Sequence, residues 1–292
     1  MSLLLRPVDC ATLVISGGDR QRWFNGMVTA DLNSLKVSGV LFGLIVQKTG
    51  KLRAEVLIAS APDQLLISLP DALADEIAAE LDRYLVMDDA ELRVSRGEYV
   101  WCSAFGLERG PSETALLEAG AAAAAWVKRG GAHALTCVAA TAQQPAVEAV
   151  LQQTFKAEAA AEAAWQTFRV GAFIPERGVD FDEAYPQEAA LELDAVSFQK
   201  GCYLGQEAVF MLQHRGHVKK RLVQLALQGA AKVGDVVQNA EGVEVGHVTS
   251  MGAGVGLAMV KYKSAFAGSE LRVGGNPAKV TSLLSLVPEA GA

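Results

Sequence analysis

A chain of 292 residues exceeds the roughly 100–200 residues that one ordinary core organises, so it reads as two or three domains. Hydrophobic residues at 51% and charged residues at 20% exclude a disordered chain, and no apolar run approaches the roughly 20 residues that cross a bilayer. A formal charge of −7 excludes a nucleic-acid footprint over the whole surface and leaves only local basic stretches, such as "HRGHVKKR" over 214–221. That stretch reads either as a solvated loop entering a strand or as a cationic wall for an anionic ligand. The opening "MSLLL" is too short for a secretory segment, so the expected location is the cytoplasm, with neither membrane nor nucleic acid as a partner.

In chain order, "ATLVIS" (11–16) predicts a strand, and "GGDRQRWFNG" a short helix capped by Asp19 and stopped at Asn25-Gly26. "GVLFGLIVQ" (39–47) and "LRAEVLIAS" (52–60) predict two strands about the turn Lys48-Thr49-Gly50-Lys51, with "DQLLISL" (63–69) as a further strand. Leu73, Ile77, Leu81 and Tyr84 recur at helical spacing and predict an amphipathic helix over 71–85. "AELRVS" and "EYVWCSAFG" return to strands. Between about 110 and 165, "GAAAAAWV" and "AEAAAEAAW" favour helix by propensity, the first with an edge strand as its alternative. "VEAVLQQTF" and "EAAWQTFRVG" predict helices there. Past residue 220, "RLVQLAL", "GDVVQ", "EVGHVTSMG", "VGLAMVKY", "LRVGG" and "KVTSLLSL" predict the short strands of a small closed β-barrel. "GAGVG" (252–256) leads from strand to strand, so it reads as a hairpin loop and fails the context of a phosphate-binding loop.

Cys10, Cys102, Cys137 and Cys202 form no Cys-x-x-Cys pair, which argues for reduced thiols and against a disulfide framework, and Cys202, His214 and His217 have no recognised zinc spacing, which argues against a structural metal. The first three sit in apolar surroundings and read as buried small hydrophobes. Cys202 stands instead in "KGCYLGQE" (200–207), where Lys200 and the first turn of a helix starting after Gly205 both favour a thiolate. Gln206 and Glu207 occupy that turn, with Ala208, Met211 and Leu212 facing inward. Gly201 and Gly205 leave room for a planar ligand against the backbone. The stretch reads as a reactive, ligand-facing thiol or as a structural turn. One thiolate can also contact iron transiently. The segment before it gathers Arg169, Glu176, Asp180 and Glu188 around Pro175 and Pro186, the kind of irregular charged chain that often carries function.

"KGCYLGQE" resembles the Lys-Gly-Cys-aromatic-x-Gly-Gln-Glu signature of the YgfZ-type folate-binding proteins, relatives of the glycine-cleavage T-protein. The similarity extends through "LVISGGDRQRWFNGMVTADLNSL", "VGAFIPERGVDFDEAYPQEAAL" and "GHVKKRLVQL". The resemblance implies an α+β fold, a three-domain ring of T-protein type. Its N-terminal α/β domain (1–100) forms part of a folate-channel wall, its middle α/β domain (101–215) ends in the signature, and 216–292 forms a C-terminal β-barrel. It also implies tetrahydrofolate or a one-carbon derivative as ligand, iron–sulfur client proteins or assembly factors as partners, and a monomer. The implied role is accessory, in cluster assembly or repair, with Cys202 as the functional thiol tuned by Lys200. Tyr203, Gly205, Gln206 and Glu207 would lie near the folate, Arg215 would meet its glutamate tail, and Asp180, Glu188 and Glu55 complete the candidate set. Aminomethyltransferases carry a Gly-Gly-Ile-x-Asp-Asp hairpin. Here the matching stretch is Gly50-Lys51-Leu52-Arg53-Ala54-Glu55, without the usual aspartate. The alternatives are a folate-dependent aminomethyltransferase in which Glu55 or Asp180 replaces that aspartate, and a non-catalytic scaffold.

Overall fold

Strands form where β-branched residues and leucine run together, and they break at glycines and short polar turns. The computed structural model of the chain describes residues 4–7, 9–107 and 113–282. Its first elements are β1 (Leu4–Pro7), β2 (Ala11–Ser16), α1 (Arg20–Asn25), β3 (Val40–Val46), β4 (Leu52–Ser60), β5 (Gln64–Leu69), α2 (Ala74–Asp82), β6 (Glu91–Ser95) and β7 (Tyr99–Phe105). Next come α3 (Glu113–Glu118), β8 (Ala121–Arg129), β9 (Ala132–Ala140), α4 (Gln144–Gln153), β10 (Glu158–Ala159), α5 (Glu162–Gly171), α6 (Glu192–Ala195) and α7 (Gln206–His214). The last are β11 (Lys220–Leu227), β12 (Val236–Gln238), β13 (Glu244–Met251), β14 (Val255–Lys261), β15 (Glu270–Val273) and β16 (Asn276–Ser282).

The backbone divides into two compact units. The first comprises Met1–Lys48, Leu52–Ala160 and Ala195–Gln206, and holds two five-stranded sheets. One has the order β3-β4-β5-β2-β6, and its buried face carries Leu13, Ile15, Ile58 and Ile67. Onto this face α1 lays Phe24, and α2 lays Ile77 and Leu81. The other sheet has the order β10-β1-β7-β9-β8, and α3 and α4 cover it with Leu116, Val147 and Leu151. The second unit comprises Thr49–Lys51, Ala161–Asp194 and Glu207–Ala292. Its centre is a closed barrel in the order β11-β14-β13-β12-β15-β16, in which β16 pairs back onto β11 and leaves no free edge. Val223, Leu225, Val248, Val260 and Val280 fill it. Among the described residues, no helix is long and apolar enough to cross a membrane.

Several local expectations need correction. The alanine run over 121–129 is strand β8, the alternative to its helical propensity. It pairs with β9 through Ala124↔Cys137 and Ala125↔Thr136, and the bare methyls of Ala123 and Ala124 are buried. Tertiary pairing here outweighs a helical preference of a few tenths of a kcal/mol per residue, roughly. In "AEAAAEAAW", Glu158–Ala159 is the parallel partner of β1, and the helix starts only at Glu162. The helix expected over 71–85 is a single 3-10 turn, Asp71–Leu73, followed by α2. Asp19 precedes α1 but does not cap it with its side chain; its carboxylate accepts from Asp89 N and Arg22 Nε. The strand expected over 279–286 is described as far as Ser282, and its remainder, like the first three residues of "MSLLL", lies outside the described residues.

Candidate functional site

Residues 195–206 belong to the first unit and lie against the turn that follows α1. At and just past the end of α1, three carbonyls of the chain take their hydrogen bonds from Lys200. Its buried ammonium donates to Asn25 O at 2.6 Å, Val28 O at 2.9 Å and Ala30 O at 2.7 Å. Thr29 adds a hydrogen bond from Oγ1 to Ala195 O, Ser197 N donates to Thr29 O, and Leu204 N donates to Gly26 O. Burial pushes the Lys200 ammonium down to about 8, against the opposing pull of Asp31. All three of its protons are committed to carbonyls, so none is left for the neighbouring sulfur. The expected tuner of Cys202 is a strut of the loop.

Tyr203 is buried, its ring centroid 5.3 Å from Lys200 Nζ, and burial pushes its phenol up to about 12. Gly205 has φ +80°, and a Cβ there would stand 2.3 Å from Gln47 O and 2.9 Å from Val46 Cγ2. This glycine lets the loop pass the end of β3 and offers no platform to a planar ligand. A Cβ on Gly201, by contrast, would meet nothing within 4 Å. Gln206 closes the turn, its N donating to Tyr203 O and its Nε2 to Gly201 O at 3.3 Å. Within this pinned loop the Cys202 side chain is exposed. The other thiols are not: burial pushes Cys10 up to about 12 and Cys102 up to about 11, and raises Cys137 as well. Glu55, also in the first unit, accepts from Arg129 Nη2 at 3.0 Å, and the guanidinium lies 4.1 Å from the Phe42 ring centroid. Ala54 is fully buried.

The remaining candidates lie in the second unit. Asp180 is buried and saturated. Its Oδ2 accepts from Arg169 Nη1 at 2.6 Å and Glu176 N at 2.9 Å, and its Oδ1 accepts from Thr249 Oγ1 and Ser250 Oγ, each at 2.6 Å. Arg169 also donates from Nη2 to Ser250 Oγ, so one buried pair ties α5 to β13. Glu188 Oε2 accepts from Tyr185 N at 3.1 Å. Glu207 and Arg215 are exposed at the two ends of α7. The buried residue of that helix is Val209, whose carbonyl accepts from Gln187 Nε2, whereas Met211, expected to face inward, is exposed. A second buried pair, Arg221 Nη2 to Glu192 Oε1 at 2.5 Å, joins β11 to α6. Sequence reasoning missed Gln187, Thr249 and Ser250; it placed Glu192 in the charged segment before the signature and Arg221 in the basic stretch 214–221, but did not foresee that the two are buried and paired. Their partners are scattered along the chain, so no local spacing marks them. Among the described residues, no group of three or more His, Cys, Asp or Glu could hold a metal ion.

Residues 219–283 match the family model of the CAF17 C-terminal beta-barrel domain. A tRNA-modifying protein YgfZ of Vibrio vulnificus is 26% identical over 220 residues, covering 73% of this chain and 67% of that protein. A mitochondrial iron-sulfur cluster assembly factor IBA57 homolog of Chaetomium globosum is 43% identical over 60 residues, 20% of this chain and 14% of that protein. Among solved structures, glycine cleavage system aminomethyltransferase T from Bartonella henselae shares the fold with a TM-score of 0.75 at 17% identity, over 97% of this chain and 86% of that one. The signature around Cys202 and the matched barrel make the chain similar to the YgfZ-type proteins, and its fold is that of aminomethyltransferase T.

Proposed function

We propose that the protein is a tetrahydrofolate-binding accessory factor for the assembly or repair of iron–sulfur clusters, with Cys202 as its working thiol. One observation carries the reading: of four cysteines, Cys202 is the exposed one, and the residues around it are held by hydrogen bonds and close packing. A rigid loop presenting a free sulfur suits brief contact with a cluster or a client thiol, for which a thiolate is the natural ligand. The named roles of similar proteins, tRNA modification for one and iron–sulfur cluster assembly for the other, support the same direction.

A bound reduced folate would supply a one-carbon unit or reducing equivalents. The donor set fits such a ligand in part. The exposed carboxylate of Glu207 suits the N–H groups of a pterin, and the exposed guanidinium of Arg215 suits the carboxylates of a glutamate tail, which arginine can grip in bidentate fashion. Tyr203 and Lys200 are buried and contribute to the loop rather than to a ligand. The aminomethyltransferase reading needs a carboxylate free to exchange a proton, and loss of a positioned acid or base typically costs about 10²–10⁴ in rate. Asp180 is fully hydrogen-bonded and Glu55 is paired with Arg129, so neither offers that group.

Calorimetric titration of the wild type and Cys202→Ser with 5-formyl-tetrahydrofolate tests the proposal, alongside the alkylation rate of Cys202 against pH. Saturable folate binding in both proteins, with client-enzyme activity lost in cells that carry only Cys202→Ser, is the expected result. Absence of folate binding together with a dispensable thiol would leave the loop a fold signature and the protein a scaffold. Turnover of an aminomethylated carrier would restore the transferase reading.

A further inference from the structure

We propose that the barrel carries a binding surface for single-stranded nucleic acid, with His217, Tyr262 and Phe266 as stacking rings and Lys220, Lys261 and Lys263 as phosphate contacts. This goes beyond the folate reading and does not depend on it. β11 begins at Lys220 and β14 ends at Lys261, and the two lysines are direct cross-strand partners. Like charges directly opposite one another in a sheet are destabilising. Both side chains are exposed, and among the described residues neither is in an ion pair; the one recorded partner of Lys261 Nζ is a backbone carbonyl, that of Glu244, at 3.0 Å. The register thus places two exposed lysines opposite each other at one end of the barrel, the Lys261 ammonium turned toward β13, and among the described residues neither has a carboxylate partner, an arrangement that an external anion relieves.

The chain next to them carries rings. Tyr262 N donates to Lys219 O, which seats the 3-10 turn Tyr262–Ser264 beside the start of β11. His217 stacks on Tyr262 with centroids 4.6 Å apart and planes inclined by 23°. Tyr262 in turn meets Phe266 edge-on at 5.4 Å and 72°. Phe266 is 49% exposed, so its ring is open to a further partner. Aromatic faces interleaved with lysines match the alternation of bases and phosphates in a single strand, whose bases are free to stack. A bilayer surface would call for an apolar face built from several side chains, with the basic residues opposite it. Here Phe266 is the exposed large hydrophobic beside these lysines, and the other two rings lie against their neighbours. The formal charge of −7 is a property of the whole chain and sets only the long-range field; at the contact itself, within a Debye length of about 8–10 Å, the local cations dominate.

The test is fluorescence anisotropy on the full chain with a labelled single strand of roughly 12 nucleotides, as RNA and as DNA of the same sequence. Saturable binding is expected, weakening with salt at a log–log slope of about −2 for three phosphate contacts. Lys220→Ala and Lys261→Ala should each remove about 0.7 from that slope. Phe266→Leu should weaken binding roughly tenfold while Phe266→Trp retains it, since a base stacks on a ring and not on an aliphatic side chain. Unchanged thermal midpoints in the variants establish that they fold. RNA over DNA, or the reverse, identifies the source of the strand. Absence of saturable binding at about 50 mM salt would overturn the inference, as would binding indifferent to both Phe266 variants. So would attachment to phosphatidylserine vesicles without binding to either strand. A wild type that binds the strand but no folate would keep this surface and remove the folate reading, and the opposite pair of results would do the reverse.

Discussion

Replacing Lys200 with methionine would remove the donor that the carbonyls of Asn25, Val28 and Ala30 share. Each lost charge-assisted bond and each orphaned acceptor carries a penalty of about 1–3 kcal/mol, so Lys200→Met should cost on the order of 3 kcal/mol or more. Cys202→Ser, at an exposed position, should stay within about 0.5 kcal/mol of the wild type. Urea midpoints measure both. A Lys200→Met protein of native stability but altered Cys202 alkylation would show that the lysine serves the sulfur after all. Gly205→Ala should cost roughly 2 kcal/mol, because its φ of +80° and the nearby Gln47 carbonyl both oppose a Cβ. Gly201→Ala, with open space around it, should be near neutral in the same thermal melts. The lysine and the glycine stand out in the sequence for their chemistry, but their partners are up to 175 residues away, so their roles could not be read there.

Among elements, the pairing of β7 with β9 sets Cys102 opposite Cys137, both buried. Burial raises the Cys102 thiol from an ordinary 9.0 to about 11 and raises Cys137 too, with the neighbouring Cys102 adding to the shift. A thiol that holds its proton longer when folded contributes stability that is present below pH 9 and lost as pH rises toward 11, at up to about 1.4 kcal/mol per pH unit per group. Exchanging both for alanine should therefore flatten the decline in urea midpoint between those values, whatever the packing costs at neutral pH. Lys200 has the opposite sign: its folded value of about 8 lies below the ordinary 10.5, so raising the pH across that window favours the folded chain. In the second unit, α5 and β13 are joined through Arg169 and Asp180. Asp180→Ala would leave the buried Arg169 guanidinium with the half-buried Glu176 carboxylate as its remaining counter-charge and take the acceptor from Thr249 Oγ1 and Ser250 Oγ; it should cost about 3 kcal/mol, more than Arg169→Met combined with Asp180→Leu. Equal costs for the single and the double variant in chemical denaturation would mean that the pair does not act as one.

At the scale of the whole molecule, the buried polar pairs and the residues named in the proposed function are different ones. Lys200 and Asp180 fall in separate compact units, so the costs of Lys200→Met and Asp180→Ala should add within about 0.5 kcal/mol. Cys202, Glu207, Arg215 and the lysine–aromatic surface of the barrel are exposed and contribute little to folding. These are the positions where substitution should alter binding or client activity with the fold intact.

The sequence by itself determined the elements whose signal is local: the barrel strands between their glycine turns, the hairpin about Gly50, the helices α4, α5 and α7, and the contrast between Cys202 and the three apolar cysteines. Periodicity and turn chemistry act over a few residues, and so they are legible in order. Only the tertiary structure decided that the alanine run would be strand β8, because its partner strand outweighs its propensity. It alone turned Lys200 from a thiol's neighbour into the clasp of a distant turn, and Asp180 from a candidate base into the acceptor of a buried arginine. Only strand register brought Lys220 face to face with Lys261. The deciding groups lie from about a dozen residues away, for β8 and Asp180, to 175 for Lys200, and each hydrogen bond or charge contact exists only once the chain has folded.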